Sequence, residues 1–221
     1  MRAPHCNSYT KDIEETMDAG IMRYVSLEHL RAANDFELTV SVHMVKQRAL
    51  SDEENLRDIR MICEDFPNLK LVLCHSARGF NMHHVIESID KLVDLQNLYF
   101  DTGAVTEAGA TNALIRAFGP QKVMYGSDWP VAESRGKCIT LGDSFIWLTP
   151  DNVDLFARYA EGDIVSPALV GFETLRALKQ ACDETGAKNG SIFSSVLSFH
   201  YVCPEPVCPG KSSLFMCFKC H

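Results

Sequence analysis

Two histidines and one aspartate each follow an apolar stretch of the sequence. Neutral imidazoles and a carboxylate gathered at one point can bind a divalent metal and leave a coordination position open for water. Such a metal lowers the pKa of its bound water to about 7, and a neighbouring carboxylate or imidazole can then exchange protons with the substrate. The residue types therefore predict hydrolytic chemistry if the three side chains meet. The stretches and the residues that follow them are 38–42 before His43, 69–74 before His75, and 123–125 before Asp128.

The three apolar stretches, with a fourth at 98–102, have the length and composition of buried β-strands. Segments with helical spacing of apolar residues lie between them, so the order of elements is αβαβαβαβ. Alternating helices and strands imply a parallel sheet, in which the carboxyl ends of the strands meet at one edge. A lone histidine after one strand is more often a core or loop residue than a ligand. Three such residues after strands of one alternating pattern favour a common site.

Several helix boundaries can be predicted from capping residues. Ser26 is placed to cap a helix that begins at residue 27, and Ser51 with Glu54 has the spacing of a capping box. Apolar spacing predicts a further helix over 82–92, and Asp143-Ser144 resembles the start of a short helix.

The composition is that of an ordinary soluble globular protein. The 221 residues are 46% hydrophobic and 23% charged, with a formal net charge of −8, which argues against a nucleic-acid partner. No apolar run reaches the roughly 18–20 residues that a membrane span needs. The amino terminus has no apolar segment typical of a secretory signal, so we expect a cytoplasmic protein with reduced thiols.

Changes of composition divide the chain into three parts. We expect an irregular segment at 1–22, a packed domain at 23–189 and a Cys-rich, disordered tail at 190–221. The tail has an alternative interpretation, because two pairs of closely spaced cysteines could hold a structural zinc ion. These cysteines are Cys203, Cys208, Cys217 and Cys220.

Three segments resemble the amidohydrolase superfamily, and more narrowly its amidohydrolase-related branch, which also contains decarboxylases. They are 42–45, 68–81 and the Tyr-Gly-Ser-Asp-Trp-Pro motif at 125–130. The resemblance covers about residues 22–186 and implies a (β/α)8 TIM-barrel fold, of which this chain would supply about four βα units, strands five to eight.

The same resemblance implies roles for individual residues. His43 would be a metal ligand, His75 a catalytic histidine, and Asp128 both a metal ligand and a proton carrier. The implied cofactor is a divalent metal, zinc by the resemblance, and the implied reaction is hydrolysis of an amide, ester or lactone, or decarboxylation, of a small molecule. Arg78 could bind a substrate anion through its guanidinium or form a salt bridge that fixes the loop. Trp129 could line the substrate pocket or serve only in packing, and Asp101 is better suited to cap a helix than to face the site.

The sequence departs from the family at one important point. The family opens with a His-x-His pair on its first strand, and no such pair occurs among the eight histidines here. A full barrel also needs about 250 residues. We therefore expect a carboxyl-terminal half barrel, impaired as a metal-dependent enzyme. The rival hypothesis is a non-catalytic half barrel that acts through a partner or a second copy, since its open strand edges favour association.

Overall fold

The computed structural model describes residues 18–154 and 166–188 and the backbone of 215–218. One sheet is parallel and has the order β4-β3-β2-β1-β7, and a separate antiparallel hairpin pairs β5 with β6. The α/β fold with a parallel sheet is thus confirmed. The strands are β1 (Thr39–Val42), β2 (Lys70–Leu73), β3 (Leu98–Asp101), β4 (Val123–Met124), β5 (Lys137–Leu141), β6 (Ser144–Leu148) and β7 (Phe215–Phe218).

The helices lie between the strands and cover the sheet. Apolar side chains of strands and helices form one large core, in which Val40, Leu71 and Phe100 are fully buried. None of the described helices is long and apolar enough to cross a membrane. Among the described residues, the right-handed α-helices are α1 (Leu27–Asp35), α2 (Glu53–Asp65), α3 (Met82–Ile86), α4 (Ala108–Phe118) and α5 (Val170–Thr185). Short 3-10 helices occur at Ile21–Arg23, Ala49–Ser51, Ile89–Leu92, Pro120–Lys122 and Val131–Glu133.

The predicted helix caps have different outcomes. Ser26 caps α1 as predicted, because its side chain accepts a hydrogen bond from the backbone of His29. The predicted capping box on α2 is wrong. Asp52 caps that helix by accepting bonds from two backbone amides, whereas the Ser51 hydroxyl donates to the carbonyl of His84. The adjacent carboxylate is the stronger acceptor for the exposed amides of the first turn.

Two predicted helices are also different in the structure. The helix expected over 82–92 ends at Ile86 and is followed by a 3-10 helix, Ile89–Leu92. The short helix expected at Asp143-Ser144 is wrong, since these residues belong to the β5–β6 hairpin. Gly142 takes a φ of 57° at the turn, a conformation that glycine adopts without steric cost.

The predicted disordered tail falls mostly outside the described residues. Within it, the backbone of Phe215–Phe218 forms β7, which pairs in parallel with β1 from Thr39↔Phe215 to Val42↔Phe218. The sequence pattern had not indicated this strand. It lies on the edge of β1 that we had expected to be open.

Candidate functional site

The carboxyl ends of the parallel strands bring the three predicted site residues together. The imidazole rings of His43 and His75 meet edge to face, with centroids 4.8 Å apart. The carboxylate oxygen Oδ2 of Asp128 lies 3.9 Å from Nδ1 of His75. The side chains of His75 and Asp128 are only 4% and 12% exposed, so water screens their interaction weakly.

His75 is held in place through both its backbone and its ring. It opens a left-handed turn in which residues 75–78 have φ values of 59°, 50°, 58° and 56°. Its amide donates to Oδ1 of Asp101 at 2.9 Å, and its Nδ1 lies 2.8 Å from the carbonyl oxygen of Gly103. Its ring also stacks on Phe80 with centroids 5.2 Å apart.

The hydrogen bond to Gly103 determines which ring nitrogen of His75 carries a proton. A carbonyl oxygen can only accept, so Nδ1 must be the donor. The neutral ring then presents Nε2 as a lone pair. Among the described residues Nε2 is buried and has no hydrogen-bond partner. Neutral His75 is therefore able to accept a proton, and it can donate one from Nε2 only after it has become an imidazolium.

The fit of a metal to this cluster is incomplete. The donor types are those that zinc prefers, and the buried Nε2 of His75 is an available imidazole nitrogen. However, the carboxylate of Asp128 approaches the Nδ1 side of that ring. Across residues 18–154 and 166–188, no group of three or more His, Cys, Asp or Glu side chains is arranged to hold an ion. The described residues thus do not form a metal site by themselves, and the chemistry below is derived without one.

Arg78 is buried at the end of the left-handed turn and, among the described residues, binds backbone carbonyls and forms no salt bridge. Its Nη1 donates to the carbonyl of Lys46 at 2.6 Å, and burial lowers the pKa of its guanidinium. The guanidinium carbon lies 5.6 Å from the centre of the Phe145 ring. Among the described residues, its buried Nε has no hydrogen-bond partner. These contacts hold the loop through backbone carbonyl groups, and Arg78 forms none of the salt bridges found among the described residues, so its role in substrate binding stays a prediction.

Trp129 follows Asp128 at the rim, but its ring is at the surface. The residue is 70% exposed and its Nε1 donates to the carboxylate of Glu133 at 3.1 Å. It does not form the floor of a pocket in this structure. A role in substrate binding stays a prediction.

Sequence reasoning missed the residues that surround His75. Asp101 caps no helix, because its carboxylate accepts bonds from the backbone of His75 and Gly103. The aromatic residues Phe145 and Trp147 of the β5–β6 hairpin pack on Phe80, which itself stacks on His75. The Asp-Thr-Gly sequence at the end of β3 was the available signal for the first of these contacts. The hairpin was missed because Asp143 and Ser144 were predicted to begin a short helix.

The comparisons with known proteins give a match to one family model and several weak likenesses to solved structures. A family model described as amidohydrolase matches residues 18–152. No curated protein matches the chain. Among solved structures, an amidohydrolase from Burkholderia multivorans with bound zinc is 16% identical, with a TM-score of 0.46, over 85% of this chain and 58% of that one.

Two further solved structures resemble the chain more weakly. Amidohydrolase 2 from Bifidobacterium longum subsp. infantis is 17% identical, with a TM-score of 0.38, over 72% of this chain and 53% of that one. The 5-carboxyvanillate decarboxylase from Sphingomonas paucimobilis is 21% identical, with a TM-score of 0.32, over 46% of this chain and 42% of that one. The chain thus spans less than two thirds of each of these proteins.

Proposed function

Because this chain belongs to the amidohydrolase family, we propose that His43, His75 and Asp128 are the carboxyl-terminal half of an active site for a small-molecule substrate. The reaction class is hydrolysis of an amide, ester or lactone, with decarboxylation as an alternative. The observation that supports it best is the approach of the Asp128 carboxylate to within 3.9 Å of His75, at the carboxyl ends of β4 and β2.

The proposed roles follow from the protonation of these groups. Asp128 takes a proton from water as the water oxygen bonds to the substrate carbonyl carbon, and the bond to the leaving group then breaks. Neutral His75 accepts the remaining proton of that water at Nε2, and the resulting imidazolium supplies it to the leaving group, after which Asp128 releases its proton to solvent. In this proposal His75 acts first as a base and then as an acid. Arg78 and Trp129 remain proposed contacts for the substrate.

Zinc is part of the proposal only as a weakly held ion. His43 and Asp128 would be two of its ligands, and the described residues offer no arrangement of three. We therefore expect the isolated chain to be impaired, as the missing His-x-His pair indicates. The proposal also includes a cytoplasmic setting and no nucleic-acid partner, both on the basis of the sequence.

The activity is tested with the full chain and a panel of amide, ester and lactone substrates, with and without added zinc. Replacing Asp128 by Asn removes the proton acceptor but keeps the size and shape of the side chain, so any turnover should fall by about 10²–10⁴-fold. The control is Asp151→Ala, a change at an exposed carboxylate distant in sequence from the site. Turnover that survives Asp128→Asn while the protein stays folded contradicts the assignment. Efficient turnover with one bound zinc per wild-type chain contradicts the proposed impairment.

A second function, a non-catalytic half barrel that acts through a partner or a second copy, is favoured by a specific observation. The described residues bring together two histidines and a carboxylate but no complete metal site. A wild-type chain that is inert on every substrate and forms a stable dimer would support this alternative.

A further inference from the structure

The segment that presents His75 has an unfavourable backbone conformation. Left-handed helical geometry costs about 1–2 kcal/mol per residue for ordinary amino acids, and residues 75–78 adopt it consecutively. The chain keeps such a conformation only when surrounding contacts hold it. Ser76 and Ala77 are fully buried within this turn, so packing contributes. The first residue of the turn, His75, needs an anchor of its own because its amide begins the turn.

That anchor is the carboxylate of Asp101. Its Oδ1 accepts a hydrogen bond from the amide of His75 at 2.9 Å and another from the amide of Gly103 at 2.8 Å. A carboxylate is a strong acceptor, so it joins the end of β2 firmly to the loop after β3. The carbonyl of Gly103 in turn accepts the Nδ1 proton of His75 at 2.8 Å. One carboxylate therefore controls both the backbone position of His75 and the group that fixes its ring.

Two glycines show how tightly the surroundings of Asp101 are packed. A Cβ atom on Gly103 would lie 3.1 Å from Oδ1 of Asp101, 3.1 Å from Cβ of Asp128 and 3.3 Å from Nδ1 of His75. A Cβ atom on Gly126 would lie 3.1 Å from Oδ1 and 3.2 Å from Cγ of Asp101. The carboxylate thus lies among residues that follow β2, β3 and β4.

We infer that Asp101 is a positioning residue, which holds the left-handed turn and the Gly103 carbonyl so that His75 keeps its proton on Nδ1 and presents Nε2 as an acceptor. This inference rests on the proposed function only because that function assigns a catalytic role to His75, the residue that Asp101 positions. The arrangement itself is a property of the folded chain, with or without turnover.

The test is the tautomer of His75 in the full-length chain, read from two-bond ¹H–¹⁵N correlations of the imidazole nitrogens. His75→Asn identifies the signals by their loss. In the wild type we expect a protonated Nδ1 and an unprotonated Nε2. In Asp101→Ala we expect this single pattern to be lost, because the amide of Gly103 loses its acceptor and its carbonyl is no longer fixed. Asp101→Asn keeps an oxygen acceptor at the same position and should restore the wild-type pattern, and Asp35→Ala is an exposed control.

Each outcome decides the inference. A folded Asp101→Ala protein with the wild-type pattern overturns it, and so does an Asp101→Asn protein that has lost the pattern. If Asp101→Ala fails to fold, the inference is tested on the wild-type protein alone, through the tautomer of His75 and the exchange rates of the His75 and Gly103 amides. An Nε2–H tautomer overturns the inference, whereas an Nδ1–H tautomer with slowly exchanging amides at His75 and Gly103 supports it. A chain without hydrolase activity but with the expected tautomers would contradict the proposed function and leave the role of Asp101 intact.

Discussion

Glycine at position 103 leaves the space in which His75, Asp101 and Asp128 approach one another. Its backbone also takes part, since the amide donates to Asp101 and the carbonyl accepts from His75. At the scale of single residues, the site therefore depends on the absence of a Cβ atom at position 103 as well as on the polar groups around it. The same reasoning applies to Gly126, which also lies against the Asp101 carboxylate.

We predict that Gly103→Ala destabilises the protein by about 1–3 kcal/mol, the usual cost of overpacking a close-packed interior. The added methyl would lie 3.1 Å from atoms of both Asp101 and Asp128, so these side chains must shift. Urea unfolding followed by circular dichroism measures the change. The nearby exposed position Ser127→Ala is the control and should alter the unfolding free energy little. Equal midpoints for Gly103→Ala and the wild type would show that the site is looser than described.

The β5–β6 hairpin is the element that covers the aromatic side of the site. Asn81 donates to the carbonyls of Gly142 and Ser144 at 3.0 and 2.8 Å. Asp143 at the turn accepts from Nε2 of the buried His84 at 2.9 Å, and this bond lowers the pKa of the Asp143 carboxyl. The hairpin is therefore fastened at its turn, which places its aromatic residues against Phe80.

We predict that Asn81→Ala loosens the hairpin at a cost of about 1–3 kcal/mol, because two carbonyls lose a buried donor. Trp147 reports the change in a Trp129→Phe background, since the chain has two tryptophans. Its emission should shift to longer wavelength and its quenching by acrylamide should increase as it leaves Phe80. Asn68→Ala, at an exposed position, should leave the emission unchanged. Unchanged Trp147 emission in Asn81→Ala would show that other contacts hold the hairpin.

At the scale of the whole molecule, the main sheet has β4 at one end and β7 at the other. β4 has only two residues, which limits the backbone groups it offers to another chain. β1 has four residues and would offer a longer edge, but β7 pairs with it along its full length. The carboxyl-terminal strand thus covers this edge of β1 and is itself the end strand of the sheet among the described residues.

We predict that replacing Met216 and Cys217 together by proline promotes association of the full-length chain. Successive N–H groups of a strand point to opposite sides, so one of the two prolines removes an N–H on the side of β1 whichever residue donates. Light scattering after size exclusion should show a larger share of dimers or aggregates. The matched control replaces both residues by valine, which suits a strand. A proline variant with the same mass distribution as the valine control would show that pairing with β7 does not limit association through the edge of β1.

Local sequence determined the order of the first four strands and of the helices between them, because apolar runs and capping residues act within a few positions. It also placed His43, His75 and Asp128 after three strands of one alternating pattern, and parallel pairing made their convergence predictable. The motif at 125–130 and its companions indicated the family that the match over residues 18–152 then established. These features depend on composition and on the geometry common to parallel sheets.

Only the tertiary structure decided what surrounds these residues, because the contacts join positions far apart in the chain. The bond from Asp101 to the backbone of His75 spans 26 residues, and the bond from Asn81 to Gly142 spans 61. An aspartate after a strand has the same local sequence whether it caps a helix or anchors a distant turn. The choice depends on which unpaired amide the fold brings within reach, and a left-handed turn exposes one that no local pattern predicts.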